Sequence, residues 1–166
     1  MTLGGRKPAE LAEPAGRVSR VELPTAEDTE RFGERLGAEL SAGDLVLLSG
    51  PLGAGKTVVA RGIGRALGVS GPVTSPTFVI AREHPPAPGG RGVPLVHVDA
   101  YRLGGTAELD DLDLDTDLAE AVVVIEWGEG LAEGLSERHL LVRLQRRADD
   151  SRVAEVTQVG GSEVGG

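Results

Sequence analysis

The sequence predicts an α/β fold, three layers built around a central sheet in which parallel and antiparallel strands are mixed. Three observations predict it. The apolar run Leu45 to Ser49 passes directly into Gly50-Pro-Leu-Gly-Ala-Gly-Lys56-Thr57, a complete G-x-x-x-x-G-K-[ST] pattern, and a helix-periodic segment follows. Strand, glycine loop and helix in that order are the core of the P-loop NTPase type of fold. Ala121 to Trp127, AVVVIEW, is a continuous β-branched run of the kind that is buried on both faces of a sheet. Finally, the strand patterns Phe78 to Arg82 and Pro94 to Asp99 are joined by the irregular, proline- and glycine-rich stretch His84 to Gly92, which makes an antiparallel pair the most economical arrangement.

Length and composition narrow the field further. At 166 residues the chain suffices for one domain with a real core and is too short for two. Residues 1–17, rich in Gly, Ala, Pro and charge, are expected to be a flexible tail, residues 18–159 a single P-loop ATPase domain, and residues 160–166 a second tail. A formal charge of −9 repels phosphate backbones, so it argues against non-specific nucleic-acid binding by this chain alone and favours a basic partner. There is no cysteine, hence no disulfide framework and no thiolate metal site. The opening residues lack the apolar core of a signal peptide and no later run approaches membrane-spanning length, so a cytoplasmic protein without a membrane partner is expected.

In chain order, Val18 to Leu23 alternates apolar and polar residues as a first strand. Thr25 opens a helix, with Asp28 at capping-box spacing and Phe32, Leu36 and Leu40 on one face. Gly43-Asp44 turns the chain into the Leu45 strand. Beyond the glycine loop, Val59, Ile63 and Leu67 line one side of a helix that Gly68 ends in a left-handed cap. The hydroxyl-rich stretch Val73 to Phe78 then leads into the antiparallel pair. Ala100 to Leu103 is a turn, and Thr106 to Leu112 a short acidic helix. The six carboxylates of Glu108 to Asp117 lack the framework of a calcium loop, and read as a solvated or partner-facing surface. After the AVVVIEW strand come a glycine-rich helical segment to Leu135 and the strand Arg138 to Gln145, with Leu140, Val142 and Leu144 on one face. That strand pairs across a turn at Ala148 to Ser151 with Arg152 to Val159.

The loop residues suit phosphate chemistry one by one. Closely spaced negative charges need backbone N–H groups that approach without a Cβ in the way, which Gly50, Gly53 and Gly55 permit, and Leu52 and Ala54 belong to the same cradle. The next helix adds the positive end of its dipole. Lys56 supplies a mobile cation for the outer phosphates, and the Thr57 hydroxyl is placed to ligate Mg²⁺. Of 17 Lys and Arg residues only Lys7 and Lys56 are lysine, so a chain that prefers arginine places lysine here.

Hydrolysis needs more than a loop. Two strand patterns end in acids, PLVHVD at Asp99 and VVVIE at Glu126, and an acid ending a buried strand beside the phosphate loop is a natural partner for Mg²⁺ or water. Thr74, Ser75 and Thr77 offer hydroxyls to the γ-phosphate and its metal, or form an ordinary turn. The turn Leu23 to Thr25, just before the first helix, is the candidate for contacting the base. No N-K-x-D base-reading motif is present, which favours ATP over GTP.

The loop ending LGAGKT, then Ser75-Pro-Thr-Phe78, His97-Val-Asp-Ala-Tyr-Arg-Leu103 and Glu126-Trp127, together resemble in order and spacing the TsaE family (formerly YjeE), over roughly Leu23 to Arg152. These are small bacterial P-loop ATPases needed to make threonylcarbamoyladenosine in tRNA. The resemblance implies Thr57 and Glu126 as Mg²⁺ ligands, Asp99 as a further acid needed for turnover with Lys56, Ser75 to Thr77 as a switch-like segment and Trp127 as the tryptophan beside the metal acid. It also implies a TsaD-type catalytic subunit and a TsaB-type companion as partners, tRNA reached only through their complex, and ATP hydrolysis that resets it. Pro51 stands where that family often has Asp, and Val58 where it often has a second Thr. Two other readings compete: a small-molecule P-loop kinase, which needs an acceptor pocket and an arginine-bearing lid, and a nucleotide-sensing module without turnover.

Overall fold

A computed structural model of the chain describes residues 18–51, 53–71, 73, 81–100, 119–127, 136 and 138–160. In chain order its elements are β1 (Val18–Leu23), α1 (Ala26–Glu39), β2 (Leu45–Ser49), α2 (Lys56–Leu67), β3 (Ala81–His84), β4 (Leu95–Asp99), β5 (Val122–Glu126), β6 (His139–Arg146) and β7 (Arg152–Val159). The 7 strands form one sheet in the order β1-β7-β6-β2-β5-β4-β3. β6, β2, β5 and β4 run parallel, while β3, β7 and β1 add antiparallel edges, so the mixed sheet is as expected.

Apolar pattern explains the placement. Every residue of β5 is buried, because it lies between β2 and β4, and its β-branched run packs on both faces. Val46, Leu48, Val122, Val124, Val142 and Leu144 face α1 and α2 in one core, and Leu45, Leu47, Val96, Val98, Val123 and Ile125 line a second core on the opposite face. No described helix is long and apolar enough to cross a membrane. The expected acidic helix Thr106 to Leu112, the carboxylates of Glu108 to Asp117, the segment to Leu135 and the tail 1–17 fall outside the described residues.

The helix boundaries follow from local chemistry. Thr25 caps α1: it accepts from the Asp28 N–H, and the Asp28 carboxylate accepts from the Thr25 N–H, which satisfies two otherwise orphaned donors. α2 ends at Gly68, which is left-handed at φ 75°. α1 has no basic residue in its last turn, and the loop after β3 supplies one. Arg91 donates to Gly37 O at 2.7 Å and Leu40 O at 2.6 Å, capping the helix from a distance. The same loop is tied to α2 by Ala87 N to Gly68 O at 2.9 Å and Arg91 N to Leu67 O at 3.2 Å. The proline-rich stretch is therefore a strap across the carboxyl ends of both helices.

One strand runs further than its pattern predicts: His84, expected in the break, pairs with Leu95 as the last residue of β3, and the break begins at Pro85, which has no N–H for the ladder. Pro94 likewise stands just outside β4, where its carbonyl still accepts from Val122 N at 3.0 Å.

α1 and α2 approach through glycine. A Cβ on Gly62 would lie 2.3 Å from Glu30 O, and one on Gly33 2.3 Å from Val59 O. Backbone meets backbone there, so no side-chain rotation relieves an added methyl. Gly62→Ala is expected to lower stability: overpacking costs about 1–3 kcal/mol, which outweighs the roughly 1 kcal/mol that alanine gains over glycine inside a helix. A urea unfolding midpoint at or above that of the unaltered protein would contradict this packing.

Candidate active site

The parallel strands carry their ends to one edge of the sheet. β2 ends at Ser49, β4 at Asp99 and β5 at Glu126, and Asp99 and Glu126 are register partners, with Leu48 abreast of Glu126. The antiparallel strands complete this edge, since Leu23 at the end of β1 pairs with Arg152 at the start of β7. The amino ends of α1 and α2 therefore lie here too, at the carboxyl edge where α/β sheets hold ligands.

Gly50, Gly53 and Gly55 take φ of 148°, 81° and 107°, a region that favours glycine. A Cβ on Gly50 would also stand 2.6 Å from Leu144 O, so the loop has no room for side chains at its root. Gly55 leaves the amino end of α2 without a side-chain cap, and no acid stands in the first turn. Its dipole and amides are open to an anion.

Lys56 is buried, and its ammonium is turned back on the loop, donating to Gly50 O at 2.7 Å and Pro51 O at 3.0 Å. It also lies 4.1 Å from the centre of the Trp127 ring. Burial pushes the Lys56 pKa down from the ordinary lysine value, against the opposing pull of Glu126 and Asp99. Thr57 Oγ1 donates to Glu126 Oε2 at 3.1 Å, and Glu126 is itself buried. Lys56, Thr57, Glu126 and Asp99, proposed separately from sequence, are thus brought together. Thr25 stands at the amino end of α1 with its hydroxyl engaged in the cap. Leu52, Thr74, Ser75 and Thr77 lie outside the described residues.

Three contributors escaped sequence reasoning, and so did the backbone conformation of a fourth residue, Trp127. Arg152 donates from Nε to Ala54 O at 3.2 Å and from Nη2 to Gly53 O at 3.0 Å, bracing two consecutive loop carbonyls from β7. No motif marks it, because only the β6–β7 pairing brings it here. Thr29 Cγ2 lies 3.3 Å from where a Gly55 Cβ would be, and Arg152 Nε 3.5 Å from the same point, so α1 and β7 back the loop together. His97, within the quoted motif but given no role, places Nε2 2.7 Å from Glu126 Oε2. Trp127 sits at φ 65°, uncommon for a bulky residue, and this turn carries its ring over Lys56 while its N–H still bonds Leu48 O at 2.9 Å.

The donors fit a hard cation. Among the described residues no group of three or more His, Cys, Asp or Glu side chains is placed to hold a metal. Mg²⁺ does not need one, since it is held by one or two carboxylates, a hydroxyl, phosphate oxygens and water. Two cavities lie away from this edge, one of about 180 Å³ between Arg35, Asp44 and His139, and one of about 390 Å³ beside Arg61, Gly68 and Val73.

Comparison with known proteins bears on this arrangement. The sequence model of the family described as "Threonylcarbamoyl adenosine biosynthesis protein TsaE" matches residues 23–154. The chain is 60% identical over 139 residues to the tRNA threonylcarbamoyladenosine biosynthesis protein TsaE of Mycobacterium tuberculosis strain H37Rv, covering 80% of this chain and 82% of that one. It is 36% identical over 136 residues to the protein of that name from Bacillus subtilis, covering 81% and 82%. In three dimensions it is similar to the crystal structure of YdiB from Bacillus subtilis, with a TM-score of 0.71, 29% identity and coverage of 89% and 90%.

The brace from β7 makes a local prediction. Removing Arg152 leaves the Gly53 and Ala54 carbonyls without their charged donor, a contact of about 1.5 kcal/mol, or roughly tenfold in opening. In Arg152→Ala, hydrogen exchange at the Ala54 amide, which donates to Pro51 O at 3.1 Å inside the loop, should quicken about tenfold, while the amides of β2 keep their protection. Unchanged loop exchange would show that the loop stands without the guanidinium.

Proposed function

The chain belongs to the TsaE family of tRNA threonylcarbamoyladenosine biosynthesis proteins, and on that premise we propose that it binds ATP with Mg²⁺ and hydrolyses it, slowly alone and faster with its partners. In this reading hydrolysis resets a TsaD-type catalytic subunit and its TsaB-type companion between rounds of tRNA modification, and tRNA is met only through that complex. The observation that carries it is the meeting of Thr57 Oγ1 with Glu126 Oε2 at 3.1 Å beside the Lys56 ammonium, at the open amino end of α2.

Each residue then has a task. The N–H groups of Gly50 to Thr57 and the dipole of α2 bind the phosphates. Lys56 exchanges the Gly50 and Pro51 carbonyls for phosphate oxygens, which compensates better for its burial than neutral carbonyls do. Thr57 and Glu126 would hold Mg²⁺, which when bound neutralises charge on the phosphate oxygens. Asp99, abreast of Glu126, holds the attacking water by accepting its hydrogen bond. The arginines close to the loop among the described residues are engaged: Arg152 on the Gly53 and Ala54 carbonyls, Arg146 on Asp150 at 2.7 Å. This supports a site whose last positive charge comes from another protein. It also weighs against the kinase reading, because the arginines from Arg138 to Arg147 that a lid could use either lie within β6, as Arg143 and Arg146 do, or flank it.

Substitutions test the assignment. Lys56→Ala should abolish productive use of ATP, and wild-type affinity for labelled ATP together with wild-type turnover would overturn the P-loop reading. Glu126→Gln should raise the Mg²⁺ concentration needed for half-maximal activity, whereas Asp99→Asn should lower kcat with nucleotide affinity nearly intact. If the two effects are exchanged, the metal ligand is on β4 instead.

Partner dependence is a separate prediction. Sites lacking an arginine finger are slower by roughly a thousandfold or more, so phosphate release by the isolated chain should be slow and should rise severalfold when the TsaB and TsaD pair is added. An isolated chain that is already fast and indifferent to the pair, or phosphate appearing on an acceptor, would refute the proposal.

A further inference from the structure

His97 is 0% exposed and stands on β4 opposite Val124, two residues before Glu126 on β5. Its Nε2 lies 2.7 Å from Glu126 Oε2. A carboxylate only accepts, so Nε2 is the donor in this bond. Among the described residues Nδ1 has no hydrogen-bond partner. Leucine would fill the same space without leaving a bare nitrogen in the core, on the strand face that carries Leu95, Val122 and Val124. The imidazole therefore makes one polar contact among these residues, and that contact is with the carboxylate that also receives the Thr57 hydroxyl.

We propose that His97 is a positioning residue which fixes the Glu126 carboxylate for the divalent cation that accompanies the nucleotide. The inference rests on the Mg²⁺ and ATP reading above and extends it by one residue. Two donors converge on Oε2, one from β4 and one from α2, so rotation of the carboxylate breaks a bond whichever way it turns. Rotation has a competing destination. Lys56 is buried close enough to feel the charge of Glu126, and a carboxylate released by His97 is drawn to that ammonium, leaving the metal without its acid and the phosphates without their cation. Partners that orient a ligating side chain in this way typically change metal affinity by about 10–100-fold when removed.

The test is calorimetric and needs no turnover. ADP is titrated into the whole chain with saturating Mg²⁺ and again with excess EDTA, and the ratio of the two Kd values reports the contribution of the metal. His97→Leu should reduce that ratio roughly tenfold or more while the Kd in EDTA moves less than about twofold. His97→Gln, whose amide offers a donor near the position of Nε2, should recover most of it. Should the leucine variant fail to fold, His97→Asn, too short to reach Oε2, takes its place with the same expected loss. A ratio equal to that of the unaltered chain, or equal losses with and without Mg²⁺, would mark the ring as packing and overturn the proposal while leaving the Mg²⁺ site standing. No Mg²⁺ dependence in the unaltered chain would overturn both.

Discussion

Parallel register is the constraint on which the site depends. Leu48, Glu126 and Asp99 lie abreast on β2, β5 and β4, so the loop that leaves β2 begins beside two acids carried by its neighbours. A slip of one residue would turn either acid to the opposite face, among the apolar side chains of the second core. The register is held by those same apolar runs. Burial of β5 on both faces both stabilises the sheet and places Glu126, with the two roles met by one stretch of sequence.

The layer above the sheet serves the loop as much as the core. Gly33 and Gly62 let α1 and α2 meet backbone to backbone, which brings Thr29 up to Gly55 beside the Arg152 side chain that reaches Gly53 and Ala54. Leu144 closes the root beneath Gly50. A glycine loop carries high conformational entropy, and an unbraced one would lose much of its binding energy on ordering. Here three elements order it in advance. The strap from Ala87 to Arg91 extends the same logic to the far ends of both helices, where it supplies the cation that α1 lacks.

Legibility in the sequence tracked distance along the chain. Lys56 and Thr57 were readable because strand, loop and helix are contiguous, and Asp99 and Glu126 because an apolar run stopped by an acid is a local signal. The α1 cap and the Gly68 terminus were readable for the same reason. Arg152 was not, since its contact joins residues 98 apart in the chain and depends on where β7 docks. His97 stood in plain view within an apolar strand, where a histidine reads as a tolerated core residue until its partner on β5 is known. The left-handed turn at Trp127 had no signal, because tryptophan is not a residue that announces positive φ. His84 was lost to a break because its neighbours are prolines, although the ladder ends only at Pro85.

Lys56 shows how these long-range contacts shape the chemistry. Its ammonium is held by two carbonyls of its own loop and by the face of Trp127, and burial has already weakened its hold on a proton. A phosphate that draws it outward must break contacts the protein has made with itself, so part of the attraction is offset before any net binding appears. The ring it leaves belongs to the residue next to Glu126, on a backbone in an unfavoured conformation. Movement of Lys56 is therefore felt at the peptide that carries Glu126, and the two ends of the proposed phosphate site are coupled through adjacent residues.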